Sequence, residues 1–218
     1  MTMPEQKKAV TPRLRVPEFR DAGPWEVKRL GEVANVVRGG SPRPIDSYLT
    51  TSIDGLNWLK IGDLREDSKY VLSTEEKIKP SGLSKTREVF PGDLIMSNSM
   101  SFGRPYILKI NCCIHDGWLA IKKLYSEISN EFLYYWILST NSQKYFRGAA
   151  AGGGVRNLNA DVVKLLPVTF PSLAEQQKIA DCLSSLDELI ELEAKQLEAL
   201  KAHKKGLMQQ LFPQEIDL

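Results

Sequence analysis

Residues 172–212 read SLAEQQKIADCLSSLDELIELEAKQLEALKAHKKGLMQQLF, and this stretch decides the architecture. Steps of four and three alternate through Ile179, Leu183, Leu186, Ile190, Glu193, Leu197, Leu200, Lys204, Leu207 and Leu211, and eight of these ten are apolar. Such a repeat lays one narrow apolar seam along a helix, the pattern of a coiled coil. Ser172-x-x-Glu175, directly after Pro171, has the spacing of a capping box, and no Pro or Gly interrupts the run before Gly206. At about 1.5 Å per residue the helix reaches roughly 60 Å, more than a domain of about 150 residues uses for its own packing. Ile179, Leu183, Leu186, Ile190, Leu197, Leu200, Leu207 and Leu211 are therefore expected to face a partner helix, with Glu193 and Lys204 as polar positions that fix register. A helix folded back across its own domain would leave the seam's length and narrowness unexplained.

N-terminal to this helix the pattern changes. From Trp25 to about Ile128, short apolar or alternating runs (Val33–Val37, Leu56–Ile61, Leu94–Met96, Tyr106–Ile110, Trp118–Ile121) are separated by turn signals such as Gly39-Gly40-Ser41-Pro42 and Pro91-Gly92-Asp93. Ser129-Asn130-Glu131 opens a helical stretch from Phe132 to Leu138, with Phe132, Tyr135 and Trp136 at i, i+3 and i+4 as a buried face. The glycine-rich segment 148–154 reads as too flexible for a helix interior, and Val162–Phe170 as a last strand. Prolines at 4, 12, 17 and 24 among five basic residues make residues 1–24 an extended arm. The expected fold is α+β, with the arm at 1–24, a strand-rich globular domain at 25–171, one long coiled-coil helix at 172–213 and a short tail at 214–218.

Charge is divided unevenly along the chain. The net charge is +2, but residues 1–170 hold 24 Lys and Arg against 18 Asp and Glu (+6), while residues 171–218 hold 5 against 9 (−4). The split suits a polyanion partner for the first part and a protein partner for the helix. No apolar run approaches the length of a membrane span, there is no secretory leader pattern, and three cysteines cannot pair completely. A soluble cytoplasmic protein with no membrane partner is the expectation.

Signatures of catalysis are sparse. Neither a Gly-x-Gly-x-x-Gly turn nor a phosphate loop ending in Gly-Lys-Ser/Thr occurs, and the glycines 152–154 lead into Val155-Arg156-Asn157. Cys112-Cys113-x-His115-Asp116 has the composition of a metal cluster, but adjacent cysteines chelate poorly together and the other histidine, His203, lies on the long helix. Asp63, Glu75 and Lys77 mimic the acid-acid-lysine set of a metal-dependent nuclease, a spacing common by chance. The chain reads as a binding module without catalytic residues, metal or cofactor of its own.

Nucleic-acid recognition calls for small residues that let backbones approach, amides and hydroxyls for base edges, and guanidinium or ammonium groups for phosphates. Four loops carry that mixture: 38–43, 84–87, 97–104 and 152–157. The candidate DNA-contacting residues are Arg38, Ser41, Arg43, Lys60, Lys85, Arg87, Ser97, Asn98, Arg104, Arg156 and Asn157.

These residues bring a family into view. Trp25-Glu26-Val27-Lys28-Arg29-Leu30-Gly31-Glu32-Val33, Gly39-Gly40-Ser41-Pro42, Pro91-Gly92-Asp93-Leu94-Ile95, Asn130-Glu131-Phe132-Leu133-Tyr134-Tyr135, Pro171-Ser172-Leu173-Ala174-Glu175-Gln176-Gln177-Lys178-Ile179-Ala180 and Leu207-Met208-Gln209-Gln210-Leu211-Phe212-Pro213 resemble the DNA-specificity subunits of Type I restriction-modification systems, nearly end to end. The resemblance implies a target-recognition domain followed by a spacer helix. A full-length subunit has two of each, so the chain resembles half a subunit, completed by pairing with itself as a homodimer or with a second half. It further implies double-stranded DNA as ligand, read in the major groove at one half of a bipartite target. A modification methyltransferase subunit and a restriction subunit are the implied partners, and they would hold S-adenosylmethionine and ATP. A coiled-coil adaptor whose globular domain binds protein is the rival reading; salt-dependent retention on DNA separates the two.

Overall fold

The computed structural model describes residues 10–65, 68–98, 103–151 and 158–212. The chain divides into two compact units, the first ending at Gln177 and the second beginning at Lys178.

The first unit is built on two five-stranded sheets. Numbered in chain order, one sheet runs β3 (Leu49–Thr50), β6 (Glu76–Ile78), β4 (Leu56–Leu59), β10 (Cys112–Ile114) and β7 (Arg87–Val89). The other runs β2 (Asn35–Arg38), β11 (Trp118–Lys122), β8 (Leu94–Ser97), β9 (Pro105–Leu108) and β5 (Tyr70–Val71). One core cluster draws on both: Leu59, Val89, Cys112 and Ile114 from the first sheet pack with Val71, Ile95, Tyr106, Leu108, Trp118 and Ala120 from the second. Because successive side chains on a strand point to opposite faces, Cys113 leaves its neighbours and joins Trp58 and Ile78 in a second cluster. The adjacent cysteines thus lie on opposite faces of one sheet and cannot share a ligand.

Strands β8 and β9 are buried along their whole length, which is why they read as unbroken apolar runs rather than alternating ones. A two-stranded ladder of β1 (Glu26–Arg29) and β12 (Pro167–Phe170) joins the two ends of the unit, running antiparallel. Helix α1 (Leu30–Val33) occupies the start of the expected Val33–Val37 strand, so β2 begins only at Asn35. Helix α2 (Asn130–Leu138) begins as expected, with the Ser129 hydroxyl accepting from the Phe132 N–H. Its fully buried face is Phe132, Leu133, Tyr134 and Ile137, whereas Tyr135 and Trp136 are half-buried.

Three expectations are corrected. Helix α3 (Thr140–Ala151) includes Gly148, around which a side chain would meet open space, and the wholly buried Phe146 anchors that helix. The expected strand Val162–Phe170 is divided. The Asn159 carboxamide accepts from the Val162 N–H and starts α4 (Ala160–Lys164), leaving only β12 extended. The Glu175 carboxylate does not reach back to cap helix α5 (Leu173–Leu211). Instead it receives both Nε and Nη2 of Arg15 at 2.7 Å, and Arg15 Nη1 donates to the Ala22 carbonyl. The arm is therefore fastened at Arg15 and by the Val10–Trp25 bridge, and it contains a short 3-10 turn at Pro17–Phe19.

The second unit carries the rest of the 39-residue α5, about 58 Å long in total at the usual rise. Leu186, Ile190, Leu197, Leu200, Leu207 and Leu211 stand 42–73% exposed along it. No helix among the described residues is long and apolar enough to cross a membrane.

Candidate nucleic-acid interface

Strand direction decides which loops can cooperate. The carboxyl end of β2 lies beside the amino end of β11, with Arg38 opposite Leu119, and the carboxyl end of β8 meets the same point, with Ser97 opposite Trp118. In the other sheet, Ile114 at the carboxyl end of β10 pairs with Leu59 at the carboxyl end of β4 and with Arg87 at the amino end of β7. The β10–β11 turn, His115-Asp116-Gly117, links these two groups. Loops from 38, 60, 86, 98 and 104 therefore gather at one end of the unit, around 115–117.

Hydrogen bonds lock the gathering. Gly39 and Gly40 N–H donate to the Trp118 and Ile114 carbonyls at 2.9 and 3.1 Å, and the Thr86 hydroxyl donates to the Ile114 carbonyl as well. The Asn98 N–H donates to the Gly117 carbonyl, and the Leu158 N–H to the Asn98 carbonyl. A Cβ on Gly39 would lie 2.1 Å from the His115 carbonyl oxygen, and one on Gly40 2.8 Å from the Lys85 carbonyl oxygen. These glycines serve the close approach of one protein backbone to another.

Asp116 is the hub. Its Oδ1 accepts from the Ser41 hydroxyl at 2.7 Å, and its Oδ2 lies 3.3 Å from Nη2 of Arg43 and 4.0 Å from Nη2 of Arg38. Its backbone carbonyl accepts from Arg38 Nε and Asn98 Nδ2 at 2.9 and 2.8 Å. The Ser41 hydroxyl above all, helped by Arg43, holds the Asp116 carboxyl below the usual carboxylate range. Its neighbour His115 lies between Trp58 and Trp118, and burial pushes its imidazole below the ordinary histidine range. The Gly117 N–H donates to His115 Nδ1 at 2.8 Å, a contact that the neutral ring accepts.

Of the eleven candidates, Arg38, Arg43, Lys85 and Arg87 are exposed at this end, and Ser41, Lys60 and Arg104 half-buried there. Lys85 Nζ bonds the Tyr48 hydroxyl at 2.5 Å and lies over its ring, while Lys60 pairs with Glu76 at 2.8 Å. Two assignments change. Ser97 is fully buried and Asn98 is 5% exposed, so both face inward and brace the loop rather than meet a duplex. Arg156 and Asn157 lie outside the described residues. Asp116 was missed because its neighbours suggested only a metal cluster, yet Asp-Gly after a strand is a turn signal that could have flagged it.

Among the described residues no three His, Cys, Asp or Glu side chains are placed to hold a metal. Burial pushes the Cys112 thiol up to about 12 and the Cys113 thiol up to about 11. Titration of the native protein with a disulfide reagent should therefore give one fast thiol, the exposed Cys182, and all three only after denaturation. A second fast thiol would show that the sheet core opens readily.

With this geometry in place, comparison with known proteins is informative. A family model described as the Type I restriction modification DNA specificity domain matches residues 23–202. Similar proteins from Methanocaldococcus jannaschii include the Type I restriction enzyme MjaIX specificity subunit, 28% identical over 185 residues, and the MjaVIII specificity subunit, 26% identical over 205. These alignments cover 81% and 91% of this chain but only 41% and 43% of the relatives, so the chain spans about two fifths of their length. Among solved structures, the HsdS subunit from Thermoanaerobacter tengcongensis aligns with a TM-score of 0.61 at 20% identity, covering 84% of this chain and 41% of that one. The Type I S subunit from M. genitalium aligns at 0.56 and 17%, covering 88% and 46%. Both show the fold.

Proposed function

Because the chain belongs to the Type I restriction-modification DNA specificity family, we propose that its first unit reads one half of a bipartite DNA target with the Asp116 end turned to the duplex. The observation that carries this reading is the gathering of Arg38, Arg43, Lys60, Lys85, Arg87 and Arg104 at one end by strand ends from both sheets. Six cations on a rigid rim suit phosphates spaced along a groove, and Ser41 adds a short polar group between them.

The exposed stripe of α5 suits pairing with a second such helix, from another copy of this chain or from a second recognition unit. Two units held apart by paired helices would read two half-sites with a fixed gap. The modification methyltransferase and restriction subunits would dock on that assembly, holding S-adenosylmethionine and ATP and supplying the chemistry, in the cytoplasm where the DNA lies. This chain would supply specificity without turnover.

Fluorescence anisotropy with a labelled duplex tests the reading. Affinity should fall steeply with salt, and Arg38→Ala with Arg43→Ala together should weaken binding about tenfold and flatten the salt slope by about 2. Salt-insensitive binding, or none at about 50 mM salt, would overturn it in favour of a protein-binding adaptor.

A further inference from the structure

We propose that Asp116 is an acidic latch: in the free protein its carboxylate holds Arg38 and Arg43, and DNA must displace it to engage them. The inference rests on the DNA-binding reading above and adds to it a residue that opposes binding.

The latch is held from several sides, whereas the arginines are exposed. Independently of the arginines, Asp116 is held at three points: the Ser41 hydroxyl on Oδ1, the Ser41 Oγ accepting from its N–H at 3.3 Å, and the Asn98 carboxamide donating to its carbonyl. The neighbouring backbone cannot retreat either, because Gly39 already lies against the His115 carbonyl. Arg38 and Arg43, by contrast, have side chains 61% and 79% exposed; Arg43 reaches Oδ2 at 3.3 Å through its chain end alone, while Arg38 stands 4.0 Å from it and also donates Nε to the Asp116 carbonyl. Ion pairs this exposed are weak and exchange readily with another anion. A phosphate arriving at the rim can therefore take over either guanidinium, while the carboxylate stays behind as a fixed negative charge. The lowered carboxyl pKa keeps that charge in place throughout the neutral range.

Neutralising the latch while keeping its hydrogen-bond acceptor separates this role from a structural one. Asp116→Asn should bind a random-sequence duplex of about 30 base pairs roughly threefold or more tightly than wild type at about 50 mM salt. Asp54→Asn, which makes the same charge change on the exposed loop before β4, should gain less than about 1.5-fold. In the Arg38→Ala/Arg43→Ala background, which itself binds about tenfold more weakly, adding Asp116→Asn should gain no more than Asp54→Asn gains in wild type, a non-additivity that identifies the partners. Unchanged or weaker binding by Asp116→Asn would overturn the latch, as would an equal gain from Asp54→Asn. Heparin-column elution, run in parallel, distinguishes the two readings. If no protein binds duplex but Asp116→Asn alone elutes at higher salt, the latch stands and the DNA reading falls; if Asp116→Asn gains on neither polyanion, the latch falls.

Discussion

Gly39→Ala should lower the melting temperature by roughly 6–12 °C, corresponding to about 3 kcal/mol, the upper part of the range for overpacking in a unit of this size. A methyl at this position would lie 2.1 Å from the His115 carbonyl oxygen, 2.8 Å from its carbon and 2.9 Å from the Ile114 oxygen. All three are backbone atoms, so no side chain can swing aside to make room. The carbonyls are also committed: Ile114 accepts from Gly40 and Thr86, and His115 accepts from the Trp118 N–H. Relief requires parting the end of β2 from the β10–β11 turn, which carries Arg38, Ser41 and Asp116 away from one another. DNA affinity should drop with stability for that reason. Gly62→Ala, at a glycine with nothing within 4 Å of the added methyl, should change stability by no more than about 0.5 kcal/mol. An unshifted melting curve for Gly39→Ala would mean that the two sheets are not joined as described.

Leu186→Glu and Leu197→Glu should each convert a self-associated chain into a monomer of 24.5 kDa by light scattering. In the second unit these leucines are 51% and 52% exposed, which leaves a long apolar stripe facing water unless another helix covers it. A carboxylate placed in a desolvated seam costs several kcal/mol unless paired, whereas the lone helix tolerates it at an exposed position. Helix content should therefore survive while the mass halves. Lys195→Ala, which removes only the exposed pair with Glu191 on the same helix, should leave the mass unchanged. A mass that does not respond to either leucine change would sink the pairing.

What could be read directly from the chain was whatever repeats locally. The seam from Ile179 to Leu211 has its own period, and Leu94–Met96 and Trp118–Ile121 are apolar because both faces of their strands are buried. Ser129 announces a helix within three residues of itself. Misreadings came where a distant partner decides the outcome. Nothing within a turn of Ser172 shows that Glu175 belongs to Arg15, 160 residues earlier. Ser97 looked like a surface hydroxyl because its loop is polar, but β8 extends one residue further and turns it inside. Asp116 gains its importance from strand order alone, since only the pairing of β11 with both β2 and β8 brings residues 38–43 and 98 to it.

The bond between Arg15 and Glu175 also sets a rule for exchanging recognition units between chains. Its two partners stand at opposite ends of the first unit's sequence, with side chains only 7% and 1% exposed. A graft whose upstream junction falls after Arg15, or whose downstream junction falls before Glu175, brings together halves of two unrelated clasps and leaves a buried carboxylate or guanidinium without its counterpart. Junctions placed before residue 10 and after Gln177 carry the clasp whole, so a chimera cut there should keep the donor unit's stability as well as its target preference.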